Sequence, residues 1–236
     1  MSAGRAVRAT VGVVGELVIT AGVVLLLFVV WQLGYVAVVD SHAQAGVVQG
    51  LEDEFAHPSG TGIPGSGATS GTAGTADAPP TGDVFAILRI PRLGGPTWAK
   101  PVYEGVGLDV LAQGLGRYPQ TALPGQVGNV AIAGHRAGHG NPLIDIDAIQ
   151  AGDAMIIETR DGWYVYRAVR HEIVDPTDVA VLAPVPEQPG VTPTQQWFTL
   201  TSCNPRYGSS HRYIVFALFD RLVPRADGPP PELGGS

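Results

Sequence analysis

Apolar and polar positions divide this chain into stretches of different texture. From Leu17 to Val39 no residue is charged, and Val23-Val24-Leu25-Leu26-Leu27-Phe28-Val29-Val30 is wholly apolar. These 23 positions make a helix of about 34 Å, enough to cross a hydrocarbon core of about 30 Å. The pattern predicts one N-terminal transmembrane helix over 11–39, after a short cytoplasmic segment, 1–10. Residues 40–82 follow as an extracellular juxtamembrane segment and tether. From about residue 57 the tether is mostly Gly, Thr, Ser, Ala and Pro, a composition with little to bury.

Over 83–223 the pattern changes to short β-branched and aromatic runs between Gly/Pro turns. Strands are expected at Val84–Ile90, Asn129–Ala133, Ala154–Thr159, Trp163–Val174, Gln196–Ser202 and Arg212–Phe219. Asp161-Gly162 is a hairpin signal, and 108–116 and 142–149 have helical spacing. Many short strands with few helices predict a mainly β barrel or sandwich. The Pro- and Gly-rich 224–236 is expected to lack fixed structure.

Charge refines the picture at the membrane. Arg5 and Arg8 precede the apolar run, whereas Asp40, Glu52, Asp53 and Glu54 follow it. The positive-inside rule then puts the N-terminus in the cytoplasm and the β-domain outside, a single-pass cell-membrane topology. Ala43-Gln44-Ala45 has the form of a signal-peptide cleavage site. A signal-peptide apolar core is only about 7–15 residues, so length favours an uncleaved anchor. The net charge is -7 and Lys100 is the only lysine, which excludes the basic footprint of a nucleic-acid binder.

Cys203 is the only cysteine, so it makes no internal disulfide. It is either a buried small hydrophobe or a working thiol. Polar neighbours and the Asn204-Pro205 loop signal favour an accessible thiol. His135 ends an apolar run at Gly134 and is a candidate acid–base partner, as Cys/His pairing operates many thiol nucleophiles. His139 completes a His-x3-His spacing that suits zinc only on a helix, and Gly138 and Gly140 argue against one. No compact acidic run resembles a calcium loop, and no metal or cofactor is expected. Arg212 opens a strand expected beside that of Cys203 and could hold a developing oxyanion. Arg206 and His211 compete for that part.

The ordered set Ala133-Gly134-His135, Thr199-Leu200-Thr201-Ser202-Cys203 and Arg212, behind an anchor and a tether, resembles the sortases. These are cysteine transpeptidases of Gram-positive surfaces, built on an eight-stranded β-barrel. The likeness covers most of 83–220 and includes 85–91 and Asp175–Val179. Gly116-Arg117-Tyr118, Ala122–Gly125 and Gly128–Arg136 are similar to class E of high-GC actinobacteria. One departure is Ser202, where the family usually has threonine. The resemblance implies Cys203 as nucleophile, His135 as acid–base and Arg212 as oxyanion holder. It also implies substrate contacts at Tyr118, Thr201 and Ser202, with Tyr118 selecting Ala in a Leu-Ala-x-Thr-Gly signal over Leu-Pro-x-Thr-Gly. The implied partners are secreted proteins bearing that signal and a lipid-linked peptidoglycan amine. A non-catalytic ligand-displaying β-domain and a hydrolytic cysteine peptidase are the competing expectations.

Overall fold

Alternating side chains on eight strands are the main determinant of this fold. The computed structural model describes residues 3–57 and 78–234. The strands are β1 (Val84–Arg89), β2 (Ala99–Glu104), β3 (Leu115–Arg117), β4 (Gly128–Gly134), β5 (Ala154–Thr159), β6 (Gly162–Val174), β7 (Gln196–Asn204) and β8 (His211–Pro224). They close into a barrel in the order β1-β2-β3-β4-β7-β8-β6-β5. Closure leaves no open sheet edge. Leu88, Ile132, Met155, Tyr166, Phe198, Leu200 and Val215 fill the interior. The pairs β2–β3 and β4–β7 are parallel, and the other neighbours are antiparallel.

Two strands, β2 and β3, are absent from the sequence expectations. β2 contains Pro101, a residue that demotes a strand signal. β3 has three residues, and its first two fall inside the helix expected over 108–116. The helix there, α2, spans only Leu108–Leu111. A Cβ on Gly116 would stand 2.1 Å from the carbonyl oxygen of Gly105, so close strand contact replaces a second turn. The helix expected over 142–149 is reduced to a 3-10 turn, Ile146–Ala148. The β5–β6 hairpin turns on Arg160-Asp161, and Gly162 already pairs with Thr159. Gly162 needs its φ of +149°, and a Cβ there would meet the Val223 carbonyl oxygen at 2.2 Å.

The N-terminal helix, α1, runs from Ala3 to Ala56, about 80 Å at 1.5 Å per residue. Its apolar part, Val11–Trp31, is long enough to cross a membrane and none of it is covered by the rest of the protein. The juxtamembrane segment expected after residue 40 continues the same helix. It ends two residues before Pro58, whose ring disfavours helical backbone in the residue ahead of it. Val48, Leu51 and Phe55 pack on Ile87 of β1. Glu52 pairs with Arg89, and Glu54 with Arg160. The tether expected over 57–82 falls mainly outside the described residues.

The C-terminal segment differs from the expectation of no fixed structure. Through Gly234 it forms 3-10 turns at Arg225–Asp227 and Pro231–Leu233. Glu232 accepts both 2.8 and 2.7 Å hydrogen bonds from Arg221 and pairs also with Arg167. Leu233 packs on the Ala154, Ile156, Trp163 and Val165 cluster. Arg225 lies 4.4 Å from the Trp163 ring centroid and bonds Glu158 at 3.0 Å. Three consecutive prolines, 229–231, lower the entropy lost on ordering, so a few anchors suffice.

Candidate active site

Strand parity brings the chemistry-bearing residues to one outer face. In β4, Val130 and Ile132 point into the barrel; in β7, Phe198 and Leu200 do; in β8, Tyr213 and Val215 do. Because side chains alternate, Thr201 and Cys203 of β7 and Arg212 of β8 face outward. His135, one residue beyond β4, shares that parity. The register completes the match: Cys203 pairs with Arg212, and Gly134 with Ser202. Directly paired Cβ atoms are about 4.5–5.5 Å apart, and neighbouring strands about 4.8 Å. β4 and β7 run parallel, so both carry their residue to the same barrel end.

Cys203 is a free, half-buried thiol, and His135 is also half-buried. Burial disfavours the imidazolium of His135 and lowers its pKa below the ordinary histidine value, and the nearby His139 adds to the effect. The two imidazole rings stack with centroids 4.7 Å apart and planes inclined by 29°. Stacked rings do not converge on a shared ion. Among the described residues no three His, Cys, Asp or Glu side chains gather as metal ligands. Nη1 of Arg212 donates 3.0 Å hydrogen bonds to the carbonyls of Ser209 and His211. These fix its guanidinium to the β7–β8 loop.

Tyr118 is brought to this face from β3, its hydroxyl 3.5 Å from Thr201 Oγ1. Ser202 has the opposite parity. It is buried and its hydroxyl donates at 2.9 Å to the Gly134 carbonyl, so it props the end of β4 instead of facing the groove. Arg206 pairs with Asp145 at 2.9 Å, and exposed His211 sits within hydrogen-bond distance of Ser210. Deeper on the same outer face, Thr199 donates to Asn129 at 2.8 Å, and Asn129 donates to the carbonyls of Val181 and Ala183. Val181 and Leu182 pack there with Ile214, Phe216 and Trp197. The β6–β7 loop thereby packs on the outer face at Thr199, two residues before Thr201 on β7.

Two arginines position this face; both lie within the motifs quoted from the sequence, which assigned neither a role. Arg136, 3% exposed, donates to Asn204 Oδ1 at 2.6 Å and pairs with Asp147 at 2.8 Å. It ties the residue after His135 to the residue after Cys203. Arg117 and Glu104, 1% and 2% exposed, form a two-pronged pair at 2.8 and 2.7 Å. Nη1 of Arg117 donates to the carbonyls of Tyr118, Thr121 and Ala122, which holds the Tyr118 loop. The Arg136–Asn204 partnership, 68 positions apart, carries no local signal.

A cleft of about 520 Å³ lies elsewhere, between α1, the β1–β5 face and the C-terminal segment. Its Arg89 is paired with Glu52 and Glu158, and its Arg225 with Glu158. The outer groove at Cys203 is the better candidate because it joins a thiol, an imidazole and a guanidinium.

The barrel domain has known relatives. Residues 88–220 match the family model described as Sortase domain. Sortase SrtE2 of Streptomyces coelicolor is 33% identical over 244 residues, covering 98% of this chain and 90% of that protein. Sortase SrtE1 of the same organism is 36% identical over 229 residues, covering 93% of this chain. The match spans 60% of the length of SrtE1. The solved structure of sortase E from Streptomyces avermitilis superposes with a TM-score of 0.59 at 42% identity, covering 65% of this chain and 98% of that one.

Proposed function

The chain belongs to the sortase family, most like class E, and on that premise we propose that it is a membrane-anchored cysteine transpeptidase. It cleaves a C-terminal sorting signal between Thr and Gly and joins the protein to a cell-wall amine. The observation that carries this reading is the register of β4, β7 and β8, which sets His135, Cys203 and Arg212 on one outer face.

The thiolate of Cys203 attacks the threonine carbonyl of the signal. The negative charge that develops on that oxygen is met by Arg212, whose Nε and Nη2 are not engaged by the loop carbonyls that hold Nη1. His135 protonates the departing glycine amine, leaving a thioester on Cys203. An incoming amine then loses its proton to His135 and attacks the thioester, which releases the Cys203 thiolate and leaves His135 protonated, as at the start. His135 must alternate between acid and base. Half-burial and a neighbouring imidazole, which disfavour its charge, keep it available as the base.

Tyr118 and Thr201 form the wall that reads the signal, with Tyr118 favouring Leu-Ala-x-Thr-Gly over Leu-Pro-x-Thr-Gly. The apolar Val11–Trp31 segment anchors the enzyme with its N-terminus in the cytoplasm, as Arg5 and Arg8 favour. The barrel then faces the cell wall and a lipid-linked peptidoglycan amine. The test is to incubate the full chain in lipid nanodiscs with paired Ala and Pro signal peptides and a glycine amine. Formation of an amide-linked product, faster with the Ala peptide, supports the reading. Hydrolysis without amine incorporation refutes transpeptidation.

A further inference from the structure

We propose that the anchor helix is a working part of the active site: its turn at Asp40–Gln44 holds the loop 137–142 and thereby keeps His139 stacked on His135 as a positioning residue. The inference rests on the assignment of His135 as the acid–base group.

The loop is an irregular turn in which Gly138 N–H donates to Asn141 Oδ1 at 2.7 Å and Asn141 N–H to the Gly138 carbonyl at 2.9 Å. Gly138, His139, Gly140 and Asn141 all have positive φ, at 84°, 49°, 76° and 51°. Two of these are non-glycine residues in the left-handed region, which persists only where the surroundings enforce it. α1 adds to that enforcement at His139 and Gly140. Gln44 is 2% exposed and its Nε2 donates to the His139 carbonyl at 2.9 Å. Its Oε1 accepts from Lys100 Nζ of β2 at 3.1 Å, so both ends of the amide are satisfied between helix, loop and barrel.

Gly140 shows how closely loop and helix approach. A Cβ there would lie 3.1 Å from the Ser41 backbone nitrogen and 3.2 Å from Gln44 Nε2. The His139 ring continues the path and stacks on His135 at 4.7 Å. A helix that starts in the membrane is thus linked to the reacting imidazole through one hydrogen bond and one ring stack. Gln44 lies only about 20 Å along the helix from the end of the apolar span, which keeps the catalytic end of the barrel close to the bilayer.

The ionisable groups on this outer face with His135 are His139 on its own loop, Cys203 on β7, Arg212 on β8 and Tyr118 just after β3. Arg136 and Asp147 pair on the other side. His139 is exposed, so its repulsion is largely water-screened. At a centroid separation of 4.7 Å a charge on His139 still disfavours the His135 imidazolium and adds to the lowering of its pKa by burial. Burial and His139 charge act in the same direction, so releasing the loop moves the midpoint upward.

The experiment is an imidazole-nitrogen NMR titration of His135 in the full chain in nanodiscs, assigned with His135→Gln. His139→Phe, which keeps a ring but removes the charge, is expected to raise the midpoint. Gln44→Ala is expected to raise it too, and adding Gln44→Ala to His139→Phe to raise it no more than His139→Phe alone. If Gln44→Ala does not fold, Gly140→Ala, which pushes the loop off the helix, takes its place with the same expectation. A midpoint unmoved by either loop variant in a protein with unchanged melting overturns the proposal. The titration is read without turnover, so it fails separately from the reaction: a His135→Gln enzyme that still transpeptidates refutes the acid–base role and leaves the coupling measurable.

Discussion

Replacing Glu104 by Leu isolates the buried charge beneath the Tyr118 loop. Glu104 and Arg117 are 2% and 1% exposed and joined by bonds of 2.7 and 2.8 Å. Removing the carboxylate leaves a guanidinium in the barrel wall with no counter-charge. Breaking one side of a buried pair costs about 3–5 kcal/mol. For a barrel domain of this size that corresponds to a melting temperature about 10 °C lower. The double variant Glu104→Leu/Arg117→Met removes both charges at similar volume, and buried pairs replaced in this way are often close to neutral. It should therefore recover more than half of the lost stability. It cannot recover the three carbonyl contacts of Arg117 Nη1 with 118–122, so the Tyr118 loop stays loose and KM for the signal peptide stays raised. The assay is thermal unfolding by near-ultraviolet circular dichroism, paired with transpeptidation kinetics, on the full chain in detergent micelles. A single variant within about 1 kcal/mol of the parent, or a double variant no more stable than the single, would refute the reasoning.

Other expectations follow from the same geometry. Tyr118→Phe removes the hydroxyl that meets Thr201 at 3.5 Å and should narrow the Ala-over-Pro ratio less than Tyr118→Ala does; equal ratios in all three proteins would reduce Tyr118 to packing. Arg136→Met, which frees Asn204 and Asp147, should lower kcat by about tenfold or more while peptide KM changes little; an unchanged kcat would show that the strand ends align without it. In Cys203→Ala, where no thiolate holds the imidazolium, His135 should titrate below the ordinary value of about 6.5, because burial and His139 both disfavour its charged form. Within the window between that lowered pKa and about 6.5 the unfolded chain binds the extra proton. Stability is therefore full above about 6.5 and falls as the pH drops through the window. A melting temperature that rises on acidification there would contradict the sign.

The barrel was legible where alternation was long enough to repeat. β1, β4, β5, β6, β7 and β8 all lie where β-branched and aromatic residues recur. β2 and β3 were not, because Pro101 and the brevity of Leu115–Arg117 erase the pattern, and only closure of the barrel requires them. Cys203, His135 and Arg212 were legible as an ordered set, and parallel pairing of β4 with β7 explains why such distant residues share one end. Ser202 was assigned to the groove with its neighbours. A period of two puts it on the other side, where it bonds Gly134. The braces were illegible for a different reason. Arg136 meets a residue 68 positions away and Gln44 one 95 positions away, and neither motif nor periodicity carries pairings of that range. The C-terminal segment misled by composition: its prolines stiffen a strap that Glu232 and Leu233 fasten.

Trapping the acyl-enzyme tests the central assignment most directly. The full chain is mixed with a Leu-Ala-x-Thr-Gly peptide without added amine, quenched in acid, digested and mapped by mass spectrometry. The account predicts the peptide's acyl fragment, ending at Thr, in thioester linkage to Cys203, released by hydroxylamine or glycine amine and absent from Cys203→Ala. An adduct on another residue, or undiminished transpeptidation by Cys203→Ala, would contradict it.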